Sequence, residues 1–272
     1  MNCSTKGQAV QAPISLRQRM AKLSKTRDEI YHNARMKKFP KVGVLRMTYS
    51  RKAVFKEPGW ESSSPSPRLG YDRGKMGENP SEESMRRAKN RVFEYAMLNK
   101  FEYFFTWTLN KELIDRYDPA VVSKKIQIFL RNAVARKNLR YVLIPEYHKD
   151  GAIHLHGLVS GDLKMKKALR PNGTPRRDRS GRTIWNICDW RWGWSTAIRL
   201  DGSYEKASQY ITKYIEKCDK MIFGNFYYAG GHGLIRNPEI HLFDADFDAI
   251  EGKEYEVEEA RNAFKYEEKK GD

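Results

Sequence analysis

Cysteine is scarce in this 272-residue chain. Cys3, Cys188 and Cys218 are odd in number and far apart, which excludes a disulfide scaffold and a zinc ribbon and fits a reducing compartment. Long apolar runs are missing too. Stretches such as Tyr141-Val142-Leu143-Ile144 fall far short of the ~20 residues that span a bilayer. Met1 to Met20 hold no apolar core of the signal-peptide kind, so a cytoplasmic protein without a membrane partner is expected. No G-x-x-x-x-G-K-[ST] segment occurs, so no P-loop helicase or ATPase is built in. Acidic residues are outnumbered, 34 Asp+Glu against 51 Lys+Arg, for a formal charge of +17. Such an excess favours a polyanionic partner.

The charge is unevenly spread. Residues 1–100 hold 22 basic and 9 acidic residues, 101–239 hold 24 and 14, and 240–272 hold 5 and 11. We divide the chain accordingly: a basic N-terminal extension and Ser/Pro/Gly-rich linker over 1–80, a folded domain over 81–238, and an acidic tail over 239–272. A strand-like run, Val42 to Tyr49, interrupts the extension. Pro58 to Pro80 reads as a linker, and Glu251 to Asp272 as a solvated helix or frayed end. No internal repeat is found.

Within the domain, Ser81-Glu82-Glu83-Ser84 signals a helix start, and Ala88, Val92, Phe93, Ala96 and Met97 keep helical spacing behind it. Phe104–Leu109 reads as a strand. Asp118-Pro119 opens a helix carrying Val122, Ile126, Phe129, Leu130 and Val134. Tyr141–His148 and Ala152–Ser160 read as paired strands, Trp194–Leu200 as another, Ser203–Cys218 as a helix and Phe223–Ala229 as a last strand. This order predicts an α+β domain: an antiparallel sheet with helices on one face, of ferredoxin type.

The most informative segment runs from Glu146 to Gly157. His154 and His156 are two apart, so on a strand both imidazoles share a face. The hairpin register decides what joins them. A two-residue turn at Asp150-Gly151 leaves Glu146 on the other face. A three-residue loop, Lys149-Asp150-Gly151, with Gly151 left-handed, pairs Glu146 with His154. Glu146, His154 and His156 then form a two-imidazole, one-carboxylate set suited to a divalent ion with open positions. His148 sits at the hairpin end and is left out of the set.

A second signal lies on the helix after residue 203. Tyr210, Lys213, Tyr214 and Lys217 follow i, i+3, i+4, i+7 and make one stripe. Ala207, Ile211, Ile215 and Cys218 make an apolar stripe beside it, which leaves the Tyr/Lys stripe free to face a ligand. A phenol ionises near pH 10, so a nucleophilic tyrosine needs positive charge nearby, which Lys213 can supply. The plainer alternative is two amphipathic tyrosines at the core edge.

Together these residues resemble the rolling-circle replication initiators of the HUH endonuclease superfamily. Phe104-Phe105-Thr106-Trp107-Thr108-Leu109 looks like their hydrophobic Thr-x-Thr strand, His154-Leu155-His156 like their His-hydrophobe-His motif, and Tyr210-Ile211-Thr212-Lys213-Tyr214 like their Tyr-x-x-Lys motif. The last is in the two-tyrosine form of initiators from small single-stranded DNA phages. The resemblance spans roughly Ser81 to Pro238. It implies a nickase and strand transferase that cuts single-stranded origin DNA of a phage or plasmid in a bacterial cytoplasm. Mg²⁺ or Mn²⁺ on Glu146, His154 and His156 would polarise the phosphate. Tyr210 would form a 5′-phosphotyrosine, Tyr214 would alternate with it, and a host polymerase and helicase would extend and unwind. Thr106, Thr108 and Lys217 are assigned to DNA contact.

Lys164 to Arg182 adds eight basic residues against Asp178 alone, and its Pro and Gly residues mark it as a loop that can track a DNA backbone through Arg176, Arg177 and Arg179. Trp190, Trp192 and Trp194 alternate, so on a strand they share a face, either for stacking on bases or for burial against a helix. Three competing functions are weighed. A two-His-one-carboxylate iron oxygenase leaves the tyrosine helix and the charge unexplained. The others are a non-catalytic nucleic-acid-binding ferredoxin-like domain and an HUH transposase or relaxase.

Overall fold

The structure, a computed structural model, describes residues 30–57, 82–202, 204–217, 221–257 and 262–270. The extension up to residue 29, the linker over 58–80, Ser81 of the helix-start signal, and Cys3 and Cys218 lie outside them. The elements in chain order are β1 (Tyr31–His32), β2 (Ala34–Phe39), β3 (Val44–Ser50), β4 (Phe55–Lys56), α1 (Glu82–Asn99), β5 (Tyr103–Leu109), α2 (Pro119–Lys137), β6 (Arg140–Tyr147), β7 (Ile153–Ser160), β8 (Met165–Lys167), β9 (Ile184–Ile187), β10 (Gly193–Arg199), α3 (Tyr204–Glu216), β11 (Tyr228–Gly231), β12 (Glu239–Phe243), β13 (Lys253–Val257) and β14 (Asn262–Lys270). Among the described residues no helix is long and apolar enough to cross a membrane.

The chain divides into two units. One combines residues 1–35, 48–63 and 242–266; the other combines 36–47, 64–241 and 267–272. In the first, the Asn33 side chain donates to the Ala245 carbonyl (2.7 Å) and accepts from the Ala245 amide (2.9 Å), in the manner of a strand partner. The tail expectation is corrected here. Residues 253–257 and 262–270 form an antiparallel pair that sets Tyr255 opposite Phe264 and Glu254 opposite Lys265. The two rings stack at 5.7 Å. Lys253-Glu254-Tyr255-Glu256 alternates with period two, and that pattern outweighs its acidity.

The second unit is built on a seven-stranded antiparallel sheet of order β11-β6-β7-β5-β10-β9-β8. Asp118 caps α2 by accepting from the amides of Ala120 (2.8 Å) and Val121 (3.3 Å), with Pro119 in the first turn as the sequence predicts. The placement of helices on one face is corrected. Phe105, Trp107 and Leu109 pack with Val122, Ile126 and Leu130 of α2. Val142, Ile144 and Leu158 pack with Val92 and Ala96 of α1 and Ile211 and Ile215 of α3. The uninterrupted run Tyr141-Val142-Leu143-Ile144 is buried throughout, so β6 needs cover on both faces.

The hairpin has the three-residue loop. Glu146 pairs with His154 and Tyr147 with Ile153, and the His148 amide donates to the Ala152 carbonyl at 2.8 Å. Gly151 takes φ +82°, the left-handed geometry that this loop requires. Gly157, directly after the histidine motif, serves close packing: a Cβ there would stand 2.2 Å from the Val142 carbonyl oxygen and 2.5 Å from the Phe105 ring. Gly157→Ala is therefore expected to destabilise the fold by about 3 kcal/mol. Urea unfolding should show a lower midpoint at unchanged slope, and an unmoved midpoint would contradict this close packing.

Two further readings are adjusted. The stretch from Lys164 to Arg182 is a β-arm rather than a loop. Met165–Lys167 pairs with Trp185–Ile187, and bridges join Leu169 to Pro175 and Arg177 to Thr183, with turns at 170–174 and 178–182. The last predicted strand begins later, at Tyr228, whose hydroxyl donates to the Phe223 carbonyl at 2.6 Å and closes a turn where strand was expected.

Candidate active site

Strands β5, β7 and β6 lie side by side and bring the first two motifs into register. Thr106 opposes His156 and Thr108 opposes His154; on the other side Glu146 opposes His154. Opposed residues share a face, so Thr106, Thr108, His154, His156 and Glu146 all stand on the α1/α3 side of the sheet. His156 is held at both ring nitrogens. The Thr106 hydroxyl lies 3.0 Å from Nδ1, and the Glu146 carboxylate lies 2.8 Å from Nε2.

Helix α3 lies over this pair. Ser208, Ile211, Tyr214 and Ile215 form its buried face. The single exposed Tyr/Lys stripe is thus corrected. Tyr214 is only 8% exposed and its ring stacks on His156 at 3.9 Å, whereas Tyr210 is 48% exposed. The π-face of His156 supplies an apolar surface next to the Ile211/Ile215 stripe, and Tyr214 rotates onto it. The two tyrosine hydroxyls are 3.0 Å apart and hydrogen-bonded. Phe104 underlies both, edge-on to Tyr210 at 5.2 Å and stacked with Tyr214 at 5.9 Å.

Lys217 lies one turn beyond Tyr214. Its ammonium is 3.5 Å from Glu146 Oε1 and 5.0 Å from the centre of the Tyr214 ring. Lys213, expected beside the nucleophile, is exposed, and its charge acts on Glu216. Lys217 therefore stands to Tyr214 as Lys213 stands to Tyr210 in sequence, and it is the lysine that reaches the carboxylate. Phe104 and this role of Lys217 are what sequence reasoning missed. The repeated Tyr-x-x-Lys spacing at 214–217 was the available signal.

The electrostatics separate the groups. Burial disfavours the charged form of Glu146, but the hydrogen bond to His156 and the charges of His156 and Lys217 outweigh it and hold the carboxyl below its ordinary range. Burial, then the neighbouring His148 and His156, lower the pKa of His154, so it stays a neutral imidazole at neutral pH. Burial first, then the hydrogen bond with Tyr210, raise the pKa of Tyr214, which keeps it a phenol and a donor. His154 stacks on His148 at 4.7 Å rather than meeting Glu146 and His156. His148 is tied to Asp150 (3.1 Å), and Asp150 to Arg116 (2.9 Å).

Among the described residues, no group of three or more His, Cys, Asp or Glu side chains is gathered closely enough to hold a metal ion. The chemistry of the expected donors nevertheless suits one. Glu146 is ionised, His154 is neutral and in direct register with it, and His156 already has Nε2 turned to the carboxylate. The Thr106 contact at Nδ1 is the kind of second contact that fixes a ligating imidazole.

Arg176, Arg177 and Arg179 are exposed on the arm. The structure does not bring them to the histidines, since β9 is four strands from β6 in the sheet order, about 19 Å at the usual strand spacing. The tryptophans split up. Trp190 is buried, stacked on Trp107 at 4.5 Å; Trp192 is half-buried beneath Lys125 of α2; Trp194 is 62% exposed. Only Trp194 lies on a strand, so the three do not share one face.

No curated protein and no solved structure matches the chain. A family model does: residues 102–219, which run from just before β5 to just past α3 and contain every residue of the site, match that of the replication-associated protein ORF2 family, and the match supports a role in replication initiation.

Proposed function

We propose that this protein is a rolling-circle replication initiator of the HUH type, which nicks and rejoins single-stranded origin DNA through a tyrosine of α3. The observation that carries the reading is the continuous stack from Tyr210 through Tyr214 to His156 and Glu146, on one sheet face within the matched segment. The oxygen of Tyr210, the accessible phenol, attacks phosphorus. The bond from phosphorus to the 3′-oxygen breaks, that oxygen takes a proton, and a 5′-phosphotyrosine and a free 3′-OH result. Tyr214 donates its hydrogen bond to the Tyr210 oxygen as negative charge develops there. The phosphodiester energy is kept in the covalent link, so the reverse attack rejoins the strand and no nucleotide is consumed.

A divalent ion, Mg²⁺ or Mn²⁺, on Glu146, His154 and His156 would supply Lewis-acid stabilisation of the phosphate. Lys217 and Glu146 then set the charge beneath the phenols, and Thr106 fixes the ring of His156. A host polymerase would extend the 3′-OH, and a host helicase would open the duplex. The test is incubation with single-stranded origin candidates and Mn²⁺, with and without chelator. The reading requires a covalent DNA adduct that chelator abolishes; binding without any adduct would leave a non-catalytic nucleic-acid-binding domain.

The arm is assigned to backbone tracking at a distance from the cut. Its residues Arg176 and Arg179 project from the turn-rich part, and Arg177 is tethered to the Gly181 carbonyl at 2.7 Å. Charge reversal at Arg176, Arg177 and Arg179 should weaken binding to all sequences alike. It should also lower the salt slope by about 0.7 per lost single-strand contact. An unchanged slope would make the arm a solvated surface.

A further inference from the structure

We infer that Trp194 is a stacking platform for a base of the bound strand, on a half of the sheet face that the helices leave open. This rests on the reading of the protein as a nickase of single-stranded DNA and adds a residue that positions the strand. The row Trp194–Thr108–His154–Glu146 crosses β10, β5, β7 and β6 in direct register. Opposed residues share a face, and two strand spacings place the Trp194 backbone about 10 Å from that of His154. The indole therefore points to the same side as the histidines and the tyrosine helix.

On that side α1 and α3 cover β6, β7 and the Phe104 end of β5. Beyond them the face carries Trp194 and Thr196, both exposed on β10, and Lys166, exposed on β8 and paired with Asn186 of β9. The opposite face of β10 provides its packing: Ser195 and Ala197 are buried, and Ala197 belongs to the core under α2. Trp190 and Trp192 give their rings to that core or its margin. Trp194 is free of this duty and stands mostly in solvent.

The occupant follows from the chemistry. Hydroxyls at Thr106, Thr108 and Thr196 and the Lys166 ammonium surround the indole, in a chain of net charge +17. A polar, cationic rim around one flat aromatic suits a polyanion that has exposed π-faces. A single strand offers them, whereas a duplex keeps its bases stacked inside. A base resting on Trp194 fixes how far the next phosphates advance along the row toward His154, so the residue sets where the scissile phosphate stops.

The test uses the full chain and a single-stranded oligothymidylate. Trp194→Ala should weaken equilibrium binding roughly 5- to 150-fold, as loss of one base–aromatic stack does. Trp194→Leu, apolar but without a π-face, should lose as much, and Trp194→Phe should retain most of the affinity. Quenching of intrinsic tryptophan fluorescence on binding should fall in Trp194→Phe although that variant still binds. Thermal stability should be unchanged in all three. Trp194→Ala should still form adduct at saturating DNA, with a higher DNA concentration at half-maximal rate. Binding of Trp194→Ala or Trp194→Leu at wild-type strength, or equal weakening for a duplex of the same sequence, would overturn the inference. If the wild type makes no adduct while affinity depends on Trp194, the platform stands and the nicking chemistry falls.

Discussion

Replacing His156 with Ala is expected to lower nicking of single-stranded DNA by about a thousandfold or more, with the fold retained. His156 is the residue on which the site converges: Thr106 at Nδ1, Glu146 at Nε2 and the Tyr214 ring across its face. Its loss removes a proposed metal ligand worth several kcal/mol of charge stabilisation, and takes away the surface that seats Tyr214. Thr106→Val removes only the hydroxyl that holds the ring, and a loss of about 10- to 100-fold follows from the usual weight of such second contacts. The ordering separates the roles. Single-turnover cleavage should rank wild type, Thr106→Val and His156→Ala in falling order, with circular dichroism unchanged. Near-normal cleavage by His156→Ala would remove the histidine motif from the chemistry.

The second large effect divides the tyrosines. Tyr210→Phe should lose nearly all first-strand cleavage yet bind DNA as well as the wild type, because only a hydroxyl is removed. Tyr214→Phe should still cleave once and form an adduct, more slowly, and should fail to complete the second transfer. The asymmetry follows from position. Tyr210 is half in solvent, whereas Tyr214 is enclosed by His156, Phe104 and Ile211, and its pKa is raised by burial. For Tyr214 to attack in a later step it must leave the His156 face, so its turn requires a movement of α3 or of the DNA. Cleavage by Tyr214→Phe falling to the level of Tyr210→Phe would show that the pair acts as one unit.

Much of this arrangement was legible in the sequence because local chemistry dictated it. The Gly151 turn set the hairpin register and thereby placed Glu146 against His154. Asp118-Pro119 marked the start of α2, and the Thr-x-Thr strand was bounded to within a residue. Tertiary partners were harder. Helical spacing put Tyr210 and Tyr214 on one stripe, but a stripe does not say that an imidazole face waits beneath one of them. The count of helices was right where their sides were wrong, since only the double burial of β6 reveals that α2 lies opposite α1 and α3. In the arm, Pro and Gly marked turns correctly, while the short pairings between the turns carry too few residues to show periodicity. Acidic composition masked the alternation of β13.

The central claim is that a tyrosine of α3, seated over His156, is the nucleophile. Its most direct test is mass-spectrometric mapping of the DNA–peptide adduct formed with Mn²⁺ by wild type, Tyr210→Phe, Tyr214→Phe and the double variant. The account predicts an adduct on Tyr210 in the wild type and in Tyr214→Phe, and none in the double variant. An adduct that persists in the double variant would place the nucleophile elsewhere and leave α3 a structural helix.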